Sequence, residues 1–159
     1  MALALKCNLS GSQIEKDVQK QTEALNERIL NSFIRPGEQF IIDAREQGQD
    51  HAMGQYKDIT KALRNSISYH VFFNGKLVSE KVYGTGIENR QAIQDIINPK
   101  GFQLIGIAGM NYASFVESKG YNVISYQADV CMINLGHYLL KKGVIERESI
   151  LRTEESFLP

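Results

Sequence analysis

The chain has 159 residues, enough for one domain with a real core and too few for two ordinary ones. Its 43% hydrophobic and 23% charged residues exclude a disordered chain. Lys plus Arg and Asp plus Glu balance at 18 each, which excludes the net positive field that draws a protein onto nucleic acid or an anionic membrane.

Residues 1–11 read as an N-terminal arm. Met1 to Lys6 is apolar but too short for a signal-peptide core, and no run approaches the length that spans a bilayer, so neither export by that route nor a membrane partner is expected. Ser12 to Glu15 has the S-x-x-E spacing of a capping box and predicts a helix start. From there Ile14, Val18, Leu25, Ile29 and Phe33 fall on one stripe of an amphipathic helix. Pro36-Gly37 predicts its end. Glu38 to Gln47 then reads as a second helix presenting Phe40, Ile41 and Ala44, with Gly48 as its stop and an exposed loop to Tyr56.

The period changes to two from Ser66 to Phe73 and again from Lys76 to Tyr83, with Asn74-Gly75 between. An Asn-Gly pair between alternating runs predicts a hairpin, because a type I′ turn needs positive φ at both central residues. A two-residue loop sets Phe73 opposite Lys76, Val71 opposite Val78 and Ile67 opposite Val82, so Ile67, Tyr69, Val71, Val78 and Val82 are expected on one buried face.

Residues 84–101 read as an inserted excursion with a short helix around Ile93, Ile96 and Ile97. Phe102 to Ala108 is a predicted third strand, Tyr112 to Lys119 a short helix and Tyr121 to Ser125 a brief extended piece. Gln127 to Lys142 resumes helical spacing through Val130, Cys131, Leu135, Tyr138 and Leu139, and Gly143 is the expected stop. The expected domain is residues 12–143, followed by a tail, 144–159, that carries Ile150, Leu151, Phe157 and Leu158. Together these elements predict an α+β fold: N-terminal helices, an antiparallel β-meander, and a C-terminal helix packed on one face of the sheet.

Catalytic, cofactor and metal signals are weak. Gly84-Thr85-Gly86 begins like a dinucleotide fingerprint, but Asn89 stands where the third glycine belongs. His51, His70 and His137 are scattered over a loop, a strand and a helix without the spacing of paired ligands, and Cys7 and Cys131 form no thiolate pair. The aromatics lack an interleaved basic stripe, so they read as core and not as a base-stacking platform. No catalytic residue, cofactor site or metal site is assigned, and the chain is not expected to be an enzyme.

Two segments resemble a family. Leu63, Arg64, Ser66 and Ile67 match an L-R-x-S-I strand start, and Tyr112, Ala113, Val116, Glu117 and Gly120 match a Y-A-x-x-V-E-x-G helix. Both are similar to the tail-component and neck family of long-tailed bacteriophages, the head-tail joining and tail-completion proteins of the lambda minor tail protein Z kind. The order of elements agrees, although the Thr-Gly that members carry before Leu-Arg is absent.

The resemblance implies a structural virion protein at the head-tail junction or tail end. It would be assembled in the host bacterial cytoplasm, as a homo-oligomeric ring in contact with neighbouring connector or tail proteins. The ring could pass DNA passively without reading sequence. From the residues themselves, Tyr112, Ala113 and Val116 are expected to seal one end of the sheet, Gly120 to end their helix, and Glu117 either to pair with Arg64 or to stand with it as two separate solvated charges. The competing expectation is a small bacterial adaptor or immunity-type binding protein, which would remain a monomer or dimer.

Overall fold

A computed structural model describes residues 10–46, 59–83 and 92–146. The expected stop at Gly48 and loop to Tyr56, Cys7, His51, the Gly84-Thr85-Gly86 run and the apolar residues of the tail lie outside the described residues.

The fold is α+β. Helix α1 (Gly11–Glu46) leads to the one-turn helix α2 (Ala62–Asn65) and strand β1 (Ile67–Phe73). Strands β2 (Lys76–Lys81) and β3 (Phe102–Ala108), short helix α3 (Ala113–Ser118) and helix α4 (Ser125–Lys141) follow. The sheet is antiparallel as expected, but its order is β2-β1-β3 and not that of the expected meander: β3 returns after the excursion to pair with β1, which lies in the middle, and β2 is left at the edge.

α1 starts earlier than the S-x-x-E signal placed it. The Ser10 carbonyl accepts the Gln13 and Ile14 N–H groups at 3.0 and 3.2 Å, so Ser10, not Ser12, stands at the helix boundary. Nor does Pro36-Gly37 end it: α1 runs through both residues as one helix. A mid-helix proline costs about 3 kcal/mol and a glycine about 1 kcal/mol where nothing else intervenes. Here both are buried with Phe40, Ile41 and Ala44. Burying each large side chain returns about 1.5–3 kcal/mol, so tertiary packing outweighs the local breaker. The missing side chain at Gly37 is itself part of that packing, because a Cβ there would stand 2.8 Å from Cδ2 of Tyr69. Gly106 on β3 does the reverse, leaving room for the Phe40 ring, which would lie 2.7 Å from a Cβ.

Ile67, Tyr69 and Val71 thus meet Phe40, Ile41 and Ala44 in one core, which Cys131 of α4 joins. α4 packs chiefly along α1 on that side. At the edge of the core Phe102 stacks on Phe73, with ring centroids 4.3 Å apart, and leans on Phe33 at 5.6 Å.

Asn74 and Gly75 have φ of 50° and 75°, the turn their sequence demands, and Phe73 faces Lys76 as expected. Beyond Phe72 the register slips: Val71 faces Ser79, His70 faces Glu80 and Tyr69 faces Lys81. One extra residue on β2 forms a bulge, so the expected Val71–Val78 and Ile67–Val82 pairs do not form, and Val78 is 43% exposed.

β1 is buried on both faces, since Ser68, His70 and Phe72 are as inaccessible as the residues that alternate with them. Phe72 packs with Ile93 and Ile105. The helix expected near Ile93 is one 3-10 turn, Gln94–Ile96, and only Ile93 of its isoleucines is fully buried.

The extended piece expected from Tyr121 to Ser125 is no strand: the chain turns there and α4 begins at Ser125. α4 stops at Gly143 as expected. With φ of 66°, Gly143 donates to the Leu140 carbonyl and Val144 to that of Leu139, both at 2.9 Å, which satisfies carbonyls the helix leaves open.

Burial pushes the Cys131 thiol from 9.0 up to about 11. The folded chain therefore holds this proton more tightly than the unfolded one. That contribution to stability is whole below about pH 9 and is lost as pH rises from there towards 11. At pH 8, in a Cys7→Ser background, Cys131 is expected to react with a thiol reagent only as fast as the chain opens. Labelling at the rate of a free cysteine would contradict its burial.

Candidate functional site

The two motif segments, separated by some forty residues of chain, converge at one corner. α2 follows Lys61, whose left-handed φ of 59° turns the chain into it. Leu63 then points inward, 1% exposed, and packs with Ala113, Val123 and Val116. Ser66 closes the turn through its hydroxyl, which donates to the Leu63 carbonyl at 2.7 Å, and its own carbonyl accepts Gly109 N–H at 3.1 Å. Ile67 enters the main core with no exposure. Leu63, Ser66, Ile67, Ala113 and Val116 are thus brought together.

Two expectations at this corner fail. Tyr112 does not seal the sheet: it stands at the start of α3 and is exposed, while Ala113 and Val116 turn inward. Glu117 does not serve Arg64. Its carboxylate accepts the backbone N–H of Ser125 at 3.0 Å and of Ile124 at 3.4 Å, at the N-terminus of α4. Asn122 adds a second acceptor there, for Tyr126 N–H at 3.1 Å. A carboxylate against unsatisfied N–H groups at the positive end of a helix is favoured by both hydrogen bonding and the macrodipole. Gly120, with φ of 83°, turns the chain back so that α3 can deliver Glu117 to that place.

Sequence reasoning missed Arg45, which holds the corner from the last turn of α1. Its guanidinium donates to the Arg64 carbonyl at 2.9 Å and to Asn65 Oδ1 at 3.3 Å, and lies 3.7 Å above the Tyr83 ring. A planar cation that both donates and stacks is the chemistry arginine supplies. No local pattern marks it, because its partners lie far along the chain.

The second constellation is polar and internal. His70 Nδ1 lies 3.0 Å from Glu80 Oε2, and His70 Nε2 lies 3.1 Å from Ser68 Oγ. Hydroxyl, imidazole and carboxylate in a row are the parts of a nucleophilic relay. Ser68 and His70 have no solvent exposure, however, so no substrate carbonyl can reach the hydroxyl. The bulge in β2 is what brings Glu80 opposite His70. The row therefore joins β1 to β2, and His70 keeps the sheet-face position expected of it. His137 lies exposed on α4.

The third feature is apolar and external. α1 is exposed at every residue from Gly11 to Leu25, about 22 Å of helix at 1.5 Å per residue. Ile14, Val18 and Leu25, 48%, 57% and 40% exposed, continue the stripe that reaches the core at Phe33. Phe115 and Tyr126 are exposed near the Glu117 cap.

Among the described residues no three His, Cys, Asp or Glu side chains converge as metal ligands, and no helix is long and apolar enough to cross a membrane. Comparison with protein-family models, with curated proteins and with solved structures finds no match to this chain.

Proposed function

We propose that this chain is a structural virion protein of a long-tailed bacteriophage, a head-tail joining or tail-completion subunit. It acts by contact alone, as a ring of copies that also meets neighbouring connector or tail proteins. The observation that carries the proposal is the projecting half of α1. An isolated helix gains little in water, where most helical stability comes from packing an apolar face. Here that face, Ile14, Val18 and Leu25, has no partner among the described residues. A stripe of this kind is completed by another protein surface. The packing of Leu63 against Ala113 and Val116 also favours the family resemblance, because it gives both motifs one structural purpose.

The test is assembly size. The purified chain, alone or with its connector and tail neighbours, is expected to form a large symmetric oligomer by light scattering and electron microscopy. Combining Ile14→Glu, Val18→Glu and Leu25→Glu is expected to reduce it below ring size. The melting temperature should stay nearly unchanged, since exposed substitutions move stability by only about 0.5 kcal/mol. A chain that stays a monomer or dimer with and without those neighbours sinks the proposal in favour of an adaptor.

A further inference from the structure

The two edges of the sheet are built differently. β2 carries a bulge and the charged residues Lys76, Glu80 and Lys81, the devices that discourage another strand from pairing. β3 has none of these: Phe102–Ala108 contains no charge and no proline and keeps a regular register along β1.

The direction of its free hydrogen-bonding groups follows from the ladder. Asn74 N–H donates to the Gly101 carbonyl and Gly109 N–H to the Ser66 carbonyl, which fixes the odd-numbered residues of this segment as those that turn their backbone groups towards β1. Phe102, Leu104, Gly106 and Ala108 therefore point theirs away from the sheet. Among the described residues no strand pairs with that side. Gly106 is exposed although the Phe40 ring fills the space where its side chain would be, so what is open to solvent is its backbone on this edge.

We infer that β3 pairs antiparallel with β3 of a second copy of this chain, giving one continuous sheet with three strands from each. One register uses every outward group: Leu104 opposite Gly106 of the second copy, and Phe102 opposite its Ala108, each pair repeated by the two-fold axis. Large residues then face small ones on the side covered by α1. On the other side Ile105 meets its own equivalent and Gln103 meets Ile107. No like charges meet anywhere along the seam. A second copy is thus the occupant whose donors, acceptors and side-chain sizes match this edge. The inference does not rest on the proposed virion role. A two-fold pairing joins chains in twos, so a ring that keeps it holds an even number of copies.

Hydrogen exchange on the wild-type chain, over a range of concentrations, tests the pairing directly. The amides of Phe102, Leu104, Gly106 and Ala108 are expected to exchange slowly where the chain is associated and at least roughly tenfold faster on dilution to single copies. Ala108→Pro removes an outward N–H and leaves the β1 ladder intact, which an edge strand tolerates. It is expected to weaken self-association by at least roughly tenfold in sedimentation, with circular dichroism unchanged. The inference is overturned if those amides exchange as an open edge at every concentration, or if a folded Ala108→Pro chain associates as the wild type does. Should that variant fail to fold, the wild-type exchange decides alone. A ring whose β3 amides exchange freely removes the edge pairing and leaves the assembly role standing.

Discussion

Replacing His70 by leucine is expected to destabilise the chain by about 2–4 kcal/mol, although leucine fills a similar volume in a fully buried site. The imidazole touches Ser68 Oγ on one side and Glu80 Oε2 on the other, and leucine can meet neither. A buried polar group that loses a partner costs about 1–3 kcal/mol, and two groups lose one here. Glu80, whose side chain is 24% exposed, recovers part of its loss through water, whereas no water reaches Ser68, which keeps only its other contacts. The informative comparison is the triple variant Ser68→Ala, His70→Leu, Glu80→Leu. Replacing a whole buried polar set by apolar groups is often close to neutral. The triple is therefore expected to lie nearer the wild type than His70→Leu alone, in denaturant unfolding at pH 7. If the losses simply add, the three side chains do not act as one unit.

The parts of the fold that the sequence made legible have causes confined to a few adjacent residues. Asn74-Gly75 dictates its turn because positive φ is a property of those two residues. Gly143 stops α4 for the same reason, and the short, mostly apolar run from Phe102 to Ala108 marks a strand without reference to anything distant. The misplacements have distant causes. Pro36-Gly37 obeys the local breaker rule until Tyr69, more than thirty residues on, closes against Gly37. The register beyond Phe72 depends on one additional residue in β2, which places Glu80 against His70, and alternation alone cannot announce a bulge.

At the candidate site the same division holds. Leu63, Ala113 and Val116 could be identified as apolar motif positions, and they meet in one cluster. Opposite charge suggested Arg64 for Glu117, yet the carboxylate finds backbone N–H groups at the start of α4. An electrostatic partner supplied by the backbone leaves no side-chain signature. Arg45 escapes for a related reason, since it donates to a carbonyl that every residue possesses. The exposed stripe of α1 was legible as amphipathic from Ile14 to Phe33, but a period shows only that a face is apolar. Which turns of that face lie on the core and which project beyond it is set by where the sheet ends.

Gly37→Leu is expected to lower stability by about 3 kcal/mol, against what helix propensity alone would predict. In an exposed helix the exchange would gain close to 1 kcal/mol, because leucine loses less freedom than glycine. Here a Cβ would meet Tyr69 at 2.8 Å from Cδ2 and 3.0 Å from Cγ, close to the root of the ring. Atoms so near the backbone cannot swing aside, and Tyr69 is itself only 2% exposed. Overpacking of this kind costs typically about 1–3 kcal/mol and sometimes more, and three further heavy atoms on leucine put the exchange at the upper end. Tyr69→Ala opens the opposing space and alone should cost about 3–5 kcal/mol, as other buried aromatic truncations do. Combined, the two are expected to cost at least about 2 kcal/mol less than their sum, because the leucine occupies the space the ring vacates. Additive losses in that double-mutant cycle would mean that α1 is not seated on the sheet through this contact, and the continuity of the helix across Pro36 would then need another cause.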